Sequence, residues 1–343
     1  MTVAAEESAR QSPLLDVRDL SVEFPTNRGT VRAVNGTSFT IERGETLAIV
    51  GESGSGKSVT SLAISGLLPR GARAGGSIWF AGTDLALVNE RERQRLRGKH
   101  VAMVFQDPQS SLNPVLRIEE QVAETIRAHE RVSGTEARRR VLELLRRVGM
   151  PRPEEVARSY PHQLSGGMRQ RVMIAIAMAL NPELLIADEP TTALDATIQA
   201  QILELLLALT ADHGTATLLI THDMGVVART SRRVAVMYAG YVVESAPTKW
   251  LFAAPRHPYT VGLLRSTPRI DRPIEDLQPI PGSPPDPTRE LIGCPFAPRC
   301  PRRLAVCDTV MPALAPAPDA AQAHAAHLVA CHNPMPVAPA SAA

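Results

Sequence analysis

Apolar and polar residues alternate near the start of the chain with the period that is typical of β-strands. Three such runs, LLDVRDLSVEF, VRAVNGTSFTI and ETLAIV, lie within residues 14–50 and are separated by the turn-forming segments PTNRGT and ERG. Alternation with a period of two turns one face of a strand toward the core and the other toward solvent. The pattern predicts three consecutive strands, the last of which leads directly into a glycine-rich segment.

Three later apolar runs are short, and each ends at residues that favour turns. They are HVAMVFQDP at 100–108, ELLIADEP at 183–190 and TATLLITHD at 215–223. Short runs that are apolar on both faces are typical of buried parallel strands, and open α/β sheets bind ligands at the carboxyl ends of such strands. We therefore expect an α/β protein with its chemistry at these strand ends.

Apolar residues at helical spacing predict helices between these strands. A helix is predicted from about Ser58 to near Gly71, with an apolar face formed by Val59, Leu62, Ala63 and Leu67. A second helix is predicted to stop at Gly214, and its apolar repeat consists of Ile198, Ile202, Leu205, Leu206 and Leu209. Residues 110–158 show no strand pattern and are predicted to form a helical insertion, whereas RRVAVMYAGYVVES predicts a closing hairpin.

Composition indicates a globular protein, and the charge balance does not indicate a nucleic-acid-binding one. Hydrophobic residues make up 44% of the 343 residues, which is enough for a globular core. Lys and Arg together number 37 against 35 for Asp and Glu, so the excess charge is too small to indicate a nucleic-acid partner. The basic runs at 91–99 and 136–149 alternate with acidic or apolar residues and are predicted to be solvated helix faces.

The chain is predicted not to cross a membrane. Its longest unbroken apolar stretch, at 172–180, has about half the length that spans a bilayer. Residues 1–13 lack the charged start and apolar core of a secretion signal and are predicted to be a disordered tail. We therefore expect a cytosolic protein, in which the cysteines are normally reduced and do not form disulfides.

The segment GESGSGKS, at 51–58, lies between a predicted strand and a predicted helix. It fits the phosphate-loop pattern G-x-x-x-x-G-K-S, in which Lys57 reaches the terminal phosphates and Ser58 ligates Mg²⁺. A chance glycine-rich turn is the alternative, and the flanking strand and helix disfavour it. The residues expected to contact ATP here are Gly51, Ser53, Gly54, Ser55, Gly56, Lys57, Ser58 and Val59.

Four polar residues end or follow the apolar strands. Asp188 is expected to hold Mg²⁺ with Ser58, and Glu189 directly after it is the candidate general base for the water that attacks the γ-phosphate. Gln106 and His222 also end strands, where their side chains would reach the metal, the water or the phosphate. A surface acid in the case of Glu189, and ordinary loop residues in the other two cases, are the alternatives.

Six motifs together resemble the ATP-binding-cassette (ABC) ATPases. The phosphate loop, Gln106, LSGGMRQR, LLIADEP, ALDA and THD occur in the order and spacing of that family over residues 14–265. The variant SGGM, the segment FQDPQSSLNP and HPYTVGLLRSTP are similar to ATPases of oligopeptide, dipeptide and nickel importers. The resemblance implies a P-loop NTPase core with an N-terminal antiparallel β-subdomain and a helical subdomain at about 108–180.

The resemblance implies that two such subunits meet head to tail, with the signature motif of one completing the phosphate site of the other. Ser165, Gly166 and Gly167 would then contact the ATP of the partner subunit. A helix N-terminus offers N–H donors and a favourable dipole for phosphate, although this one has no lysine of its own. Met168 departs from the commonest signature and leaves one side-chain contact open.

Three further residues have roles that the resemblance implies. Asp195 of ALDA would lie at the seam between subunits, and His222 would sense the γ-phosphate as a catalytic residue. Phe24 would stack on the adenine, although a core phenylalanine fits the same strand position equally well.

The implied function is the ATPase subunit of an importer for short peptides, peripheral on the cytoplasmic face of the cell membrane. Its implied partners are a second ABC ATPase subunit, in a homodimer or heterodimer, two transmembrane permease subunits and an extracytoplasmic substrate-binding protein. DPQSSLNPVLRIEEQV, at 107–122, is the candidate dock for a permease helix. A nickel importer is the alternative within the family. A non-transport ABC ATPase acting on DNA or ribosomes would need a coiled coil or a second cassette, and the sequence has neither.

The C-terminal part is predicted as an extension at 266–335, followed by a disordered tail at 336–343. Its Pro-rich sequence contains Cys294, Cys300, Cys307 and Cys331 in the spacing C-x5-C-x6-C-x23-C. A segment with so little apolar material gains stability from a metal. Zinc knuckles mostly have cysteine pairs two to four residues apart, and the looser spacing suits a 4Fe-4S cluster, which peptide-importer ATPases often carry there. Zinc and unligated thiols stay open as alternatives.

Overall fold

The computed structural model describes residues 12–192, 194–267, 278–318 and 326–336. The predicted tails at 1–13 and 336–343 therefore lie almost wholly outside the described residues. The chain divides into two compact units: Phe80–Leu219 with Met1–Leu14 and Ile41–Glu45, called the helical unit here, and Leu15–Thr40, Thr46–Trp79 and Ile220–Ala343, called the loop unit. In the described parts of the chain, no helix combines the length and apolarity that a membrane span requires.

Strands and helices alternate along much of the chain, as expected of an α/β protein. The strands are β1 Leu15–Thr26, β2 Gly29–Ile41, β3 Thr46–Val50, β4 Arg73–Phe80, β5 Thr83–Asp84, β6 Val101–Val104, β7 Leu184–Asp188, β8 Ala216–Thr221, β9 Arg233–Tyr238, β10 Tyr241–Pro247, β11 Ala315–Pro316 and β12 Leu328–Val329. The α-helices are α1 Lys57–Ser65, α2 Glu90–Leu96, α3 Pro108–Ser111, α4 Ile118–His129, α5 Gly134–Arg147, α6 Pro153–Arg158, α7 Gly166–Ala177, α8 Ala196–His213, α9 Met224–Thr230, α10 Thr248–Ala253 and α11 Pro258–Ser266.

The loop unit contains two sets of strands. In the first, β1 lies between β2 and β4. In the second, β3 pairs in parallel with β9, β9 pairs antiparallel with β10, and the short strands β12 and β11 continue beyond β10. The three predicted N-terminal strands and the β9–β10 hairpin are confirmed. The contribution of the C-terminal segment, through β11 and β12, was not predicted.

The helix α1 differs from its prediction. It ends at Ser65 with Gly66 as a left-handed cap, not near Gly71. It buries Thr60, Ser61 and Ile64 instead of the predicted face of Val59, Leu62, Ala63 and Leu67. The buried hydroxyls donate to carbonyls of the same helix region, Thr60 to Gly56 at 3.0 Å and Ser61 to Ser58 at 2.8 Å. Because these hydroxyls are satisfied locally, a small polar face packs against β1 at little cost.

The helical unit has the helices that were predicted for the insertion. Residues 110–158 form α4, α5, α6 and the second half of α3 without a strand. The helices α4, α5 and α6 pack on one another, and α4 and α5 also pack on α7. In α5, Val141, Leu144 and Leu145 are buried, while Arg139 pairs with glutamates on the exposed face. The solvated basic face is therefore confirmed. In the same unit, β6 pairs in parallel with β7, as expected of buried strands.

Candidate functional site

The glycine-rich segment forms a tight loop between β3 and α1 in the loop unit. Gly56 precedes the first residue of α1 with a φ of 102°, in the region that favours glycine. A Cβ at this position would lie 2.4 Å from the carbonyl oxygen of Ala33, so a side chain is also excluded sterically. The loop therefore leads into the N-terminus of α1, the end of a helix that favours an anion.

Lys57 is held inside this loop. Its Nζ donates to the carbonyl oxygens of Gly51 at 2.8 Å and Glu52 at 2.9 Å, and lies 3.4 Å from Ser55 Oγ. Only 5% of Lys57 is exposed. The loop oxygens thus place a buried positive charge where the terminal phosphates of a nucleotide are expected to bind.

The other predicted residues of the phosphate loop differ in their exposure to solvent. Ser53 and Gly54 are exposed at the tip, Ser55 is buried, and Ser58 and Val59 are half-buried at the start of α1. A cavity of about 310 Å³ lies beside the tip, and its wall consists of Arg32, Asn35, Ser53, Gly54, Ala239, Tyr241 and residues 284–287 and 289–291. The C-terminal segment therefore borders the phosphate loop, which sequence reasoning did not foresee.

Phe24 and His222 lie elsewhere in the loop unit. Phe24 is half-buried in β1 and does not belong to the wall of the cavity beside the loop tip. His222 is exposed directly after β8, and the next residue, Asp223, caps α9 by accepting from the N–H groups of Gly225 and Val226. The structure thus places His222 at the end of a strand, where its imidazole is accessible.

In the helical unit, Gln106, Asp188 and Glu189 meet at the carboxyl ends of the paired strands β6 and β7. Asp188 ends β7 and is buried, while Glu189 follows with a φ of 45°. A residue other than glycine in this conformation costs about 1–3 kcal/mol, and such strain concentrates at functional sites. The conformation turns the side chain of Glu189 out of the alternation of the strand.

The carboxylate of Glu189 is held by two neutral donors. Gln106 Nε2 donates to Glu189 Oε2 at 3.1 Å, and Thr192 Oγ1 donates to the same oxygen at 2.9 Å. Sequence reasoning selected Gln106 but missed Thr192, whose only signal is its place three residues after the candidate base. Two donors on one oxygen fix the orientation of the carboxylate.

The signature segment begins the helix α7. Ser165 is the N-cap and its Oγ accepts from the N–H group of Met168 at 3.3 Å, so the helix starts with Gly166 and Gly167. A Cβ on Gly167 would lie 2.9 Å from Ile198 Cγ2 of α8. A side chain is therefore excluded where α7 and α8 approach each other.

Asp195 joins this arrangement from the start of α8. Its Oδ1 accepts from the N–H group of Ile198 at 3.0 Å, which makes it the N-cap of α8. Because Ile198 also faces Gly167, the structure brings the signature glycines and Asp195 together within the helical unit.

The four cysteines carry free thiols and share one region of the loop unit. Cys307 is buried and the others are half-buried. Burial, with a smaller contribution from the other three thiols, raises the pKa of Cys331 to about 11. Burial also raises the pKa values of Cys294 and Cys300. The N–H group of Cys294 donates to the carbonyl oxygen of Cys307 at 2.8 Å, which ties two of the cysteine positions together.

These thiols share one region but are not spaced as metal ligands. In the described part of the chain, no three or more His, Cys, Asp or Glu side chains are arranged so that they could hold a metal ion. The four predicted cysteine ligands therefore lie in one region but do not already form a metal site.

Comparisons with known proteins assign a family to this arrangement of motifs. A model described as ABC transporter matches residues 34–192, and a model described as oligopeptide/dipeptide transporter, C-terminal region, matches residues 243–307. The chain is 51% identical to the dipeptide transport ATP-binding protein of Bacillus subtilis, over 87% of this chain and 90% of that protein. It is 48% identical to the oligopeptide transport ATP-binding protein of Salmonella typhimurium, over 90% of this chain and 94% of that protein.

A solved structure extends the comparison to three dimensions. The chain resembles the dimeric ATP-binding cassette MJ0796, solved in a post-hydrolysis state with ADP and Pi, with a TM-score of 0.62 and 30% identity. The match covers 68% of this chain and 98% of the other.

Proposed function

This chain belongs to the ATP-binding subunits of oligopeptide and dipeptide ABC transporters, and from this we propose that it hydrolyses ATP to power the import of short peptides. The observation that carries the proposal is the 51% identity over 90% of a dipeptide transport protein. The separate match of residues 243–307 to the C-terminal region of peptide transporters supports the substrate class. Both relatives are peptide transport proteins, which favours peptides over the nickel alternative.

We propose that each residue of the nucleotide site has a distinct task. The predicted loop residues, Gly51 and 53–59 with the ammonium group of Lys57, bind the phosphates of ATP, and Glu189 takes a proton from the attacking water. Ser58, Gln106 and Asp188 offer hydroxyl, amide and carboxylate oxygens, which are the ligand types that Mg²⁺ prefers. The bound metal would supply charge neutralisation at the phosphates.

We further propose that Ser165, Gly166 and Gly167 act on the ATP of a second ATPase subunit. The N-terminus of α7 offers N–H groups and the positive end of a 12-residue helix. The solved relative is dimeric in a state with ADP and Pi, which supports pairing of two ATPase subunits. Asp195, adjacent to the signature through Ile198, belongs to the same proposed seam. His222 would contact the γ-phosphate, and Phe24 keeps its proposed role at the adenine.

The membrane partners are two permease subunits, with a substrate-binding protein on the other side of the membrane, and the chain would act at the cytoplasmic face. We propose that residues 107–122 receive a permease helix. Val115 in this segment is 75% exposed. The amide of Gln121 holds the surrounding loop by bonding to the backbone of Asn113 and Leu116. A rigid loop that presents a large apolar side chain is suited to docking an apolar partner surface.

Peptide uptake by the whole complex tests this proposal. Proteoliposomes that enclose ATP and carry the complex should accumulate labelled di- to pentapeptides. Val115→Asp should lower uptake by about tenfold, because it places a charge in the apolar interface, without changing ATP binding by the isolated chain. Leu87→Asp is the matched control, since Leu87 is 85% exposed and lies outside the proposed dock. Equal uptake by the two variants excludes the dock, and accumulation of nickel instead of peptide excludes the substrate class.

We also propose that Cys294, Cys300, Cys307 and Cys331 bind a 4Fe-4S cluster. Support comes from four free thiols in one region of the chain. The N–H group of Arg302 lies 3.4 Å from Cys300 Sγ, a contact of the kind that stabilises cluster sulfurs. Zinc, the alternative, is mostly held by closer cysteine pairs than this sequence has. Because the thiols are not at ligand spacing, binding would have to draw them together.

Anaerobic purification after expression with ample iron tests the cluster. The full chain should be brown and contain about four irons. Cys300→Ser should lose the colour and the iron, whereas Lys57→Ala should keep both, because Lys57 belongs to the phosphate loop. A colourless wild-type protein, with zinc or without metal, would exclude the cluster.

A further inference from the structure

Glu52, the second residue of the phosphate loop, is held at three points. Its carbonyl oxygen accepts from Lys57 Nζ at 2.9 Å, and its N–H group donates to Tyr259 Oη at 2.8 Å. Its carboxylate accepts two bonds from Arg299, from Nη1 at 2.7 Å and from Nη2 at 3.0 Å. Two of the three anchors therefore come from residues more than 200 positions away in the sequence.

Arg299 is buried and fully satisfied. Its side chain is 5% exposed, and the side chain of Glu52 is 28% exposed. Besides the two bonds to Glu52, its guanidinium donates to the carbonyl oxygens of Pro281 at 2.8 Å and Ile280 at 3.1 Å, and to Tyr238 Oη at 3.3 Å. The five N–H donors of the group are thus all used. A planar guanidinium with every donor bonded has one orientation, so it fixes its carboxylate partner in place.

Aromatic side chains complete the surroundings of this ion pair. The guanidinium carbon of Arg299 lies 5.8 Å from the ring centre of Tyr238 and 5.9 Å from that of Phe296. Tyr259 packs against both rings, and burial raises the pKa values of Tyr238 and Tyr259. Both phenols therefore stay neutral near neutral pH, and the hydroxyl oxygen of Tyr259 can accept a hydrogen bond from the N–H group of Glu52.

Arg299 also belongs to the segment that carries the cysteines. It ends a short 3₁₀ turn, Ala297–Arg299, which lies between Cys294 and Cys300. The N–H group of Ala297 donates to the carbonyl oxygen of Cys294 at 3.0 Å, and that of Cys300 donates to Ala297 at 3.3 Å. Both cysteines pack against the apolar cluster that contains Tyr238, Tyr259 and Phe296. The geometry of the cysteine segment and the position of the guanidinium are therefore linked.

We propose that Arg299 is a positioning residue for the nucleotide site: it fixes Glu52 at the start of the phosphate loop, so that the cysteine-bearing segment sets the affinity for ATP. The carbonyl oxygens of Gly51 and Glu52 accept from Lys57, so a shift of Glu52 would also shift the site that holds Lys57. The donors of Arg299 all bond to protein groups, so it acts on the nucleotide site through Glu52 and Lys57. This inference rests on the proposed role of the phosphate loop.

The test compares ATP binding and turnover in three variants of the full chain, assembled with its partners for turnover. Arg299→Met should raise the KM for ATP by about tenfold and leave kcat within about twofold, because a charge-assisted bidentate pair is lost but no reacting group is. Glu52→Gln should raise KM similarly. The double variant should raise it no further than either single change, since both remove the same contact. The double variant also leaves no unpaired buried charge, so it should fold even if a single variant does not.

Arg303→Met is the matched control. Arg303 lies in the same segment and pairs with Asp308 at 2.7 Å, but both side chains are largely exposed. Its KM and melting temperature should equal those of the wild type. An unchanged KM in Arg299→Met and the double variant, with a lowered melting temperature alone, would mean that Arg299 only stabilises the fold.

Lys57→Ala separates this inference from the proposal on which it rests. If Lys57→Ala binds a fluorescent ATP analogue as the wild type does, the phosphate-loop assignment is wrong. If Lys57→Ala loses binding while Arg299→Met keeps wild-type affinity, the loop assignment stands and the positioning role of Arg299 is overturned.

Discussion

Glu189→Gln should lower steady-state ATP hydrolysis by about 10³-fold and leave ATP affinity within about twofold. The amide has the shape of the carboxylate and its oxygen can still accept from Gln106 and Thr192, which bond to Glu189 Oε2. The amide cannot, however, take a proton from the attacking water. The loss should therefore fall on turnover and not on binding, as measured by phosphate release and by equilibrium binding of a fluorescent ATP analogue.

Lys57→Ala provides the contrast for this variant. Its ammonium group is the charge that the loop holds for the terminal phosphates, so both ATP binding and turnover should be lost. Equal hydrolysis rates in Glu189→Gln and the wild type would remove Glu189 from the role of general base. Loss of ATP binding in Glu189→Gln would instead show that the residue holds the nucleotide.

Ser165→Arg should abolish hydrolysis at the partner's phosphate loop while ATP binding at the chain's own loop persists. The long cationic side chain would occupy the space before the N-terminus of α7, where the partner's phosphate is proposed to lie. The substitution also removes the bond from Ser165 Oγ to the N–H group of Met168, which costs about 1 kcal/mol of stability. Ser133→Arg is the matched control, because Ser133 caps α5 with the same type of bond and lies outside the signature.

Mixed dimers decide between action on the partner's ATP and action on the chain's own. If Ser165→Arg lies in one subunit and Lys57→Ala in the other, action on the partner predicts that both changes damage the same site and one site stays active. If both changes lie in one subunit, both sites should be inactive. Single-turnover hydrolysis by dimers purified through two different tags measures the difference, and the reverse pattern would contradict the head-to-tail arrangement.

Local chemistry made the nucleotide-binding elements predictable. Alternating residues indicated β1, β2 and β3, and the pattern G-x-x-x-x-G-K-S between a strand and a helix indicated the loop that ends at Ser58. The turn at Ala239 and Gly240 indicated the β9–β10 hairpin. Each of these signals depends on residues within a few positions of one another, where strand alternation and the conformational freedom of glycine act directly. The strand β4 was not predicted from the sequence, because two adjacent glycines, Gly75 and Gly76, interrupt its alternation of apolar and polar residues.

The sequence by itself determined the order of motifs, the strand ends that carry polar side chains and the family to which they point. Tertiary structure alone decided which face of α1 is buried, that Thr192 shares the carboxylate of Glu189 with Gln106, and that β12 adds to β10. It also decided that Arg299 reaches Glu52 across 247 positions. Local propensities carry no information on such contacts, because they form only when the fold closes a long loop and the packed surroundings bury and satisfy the groups that meet.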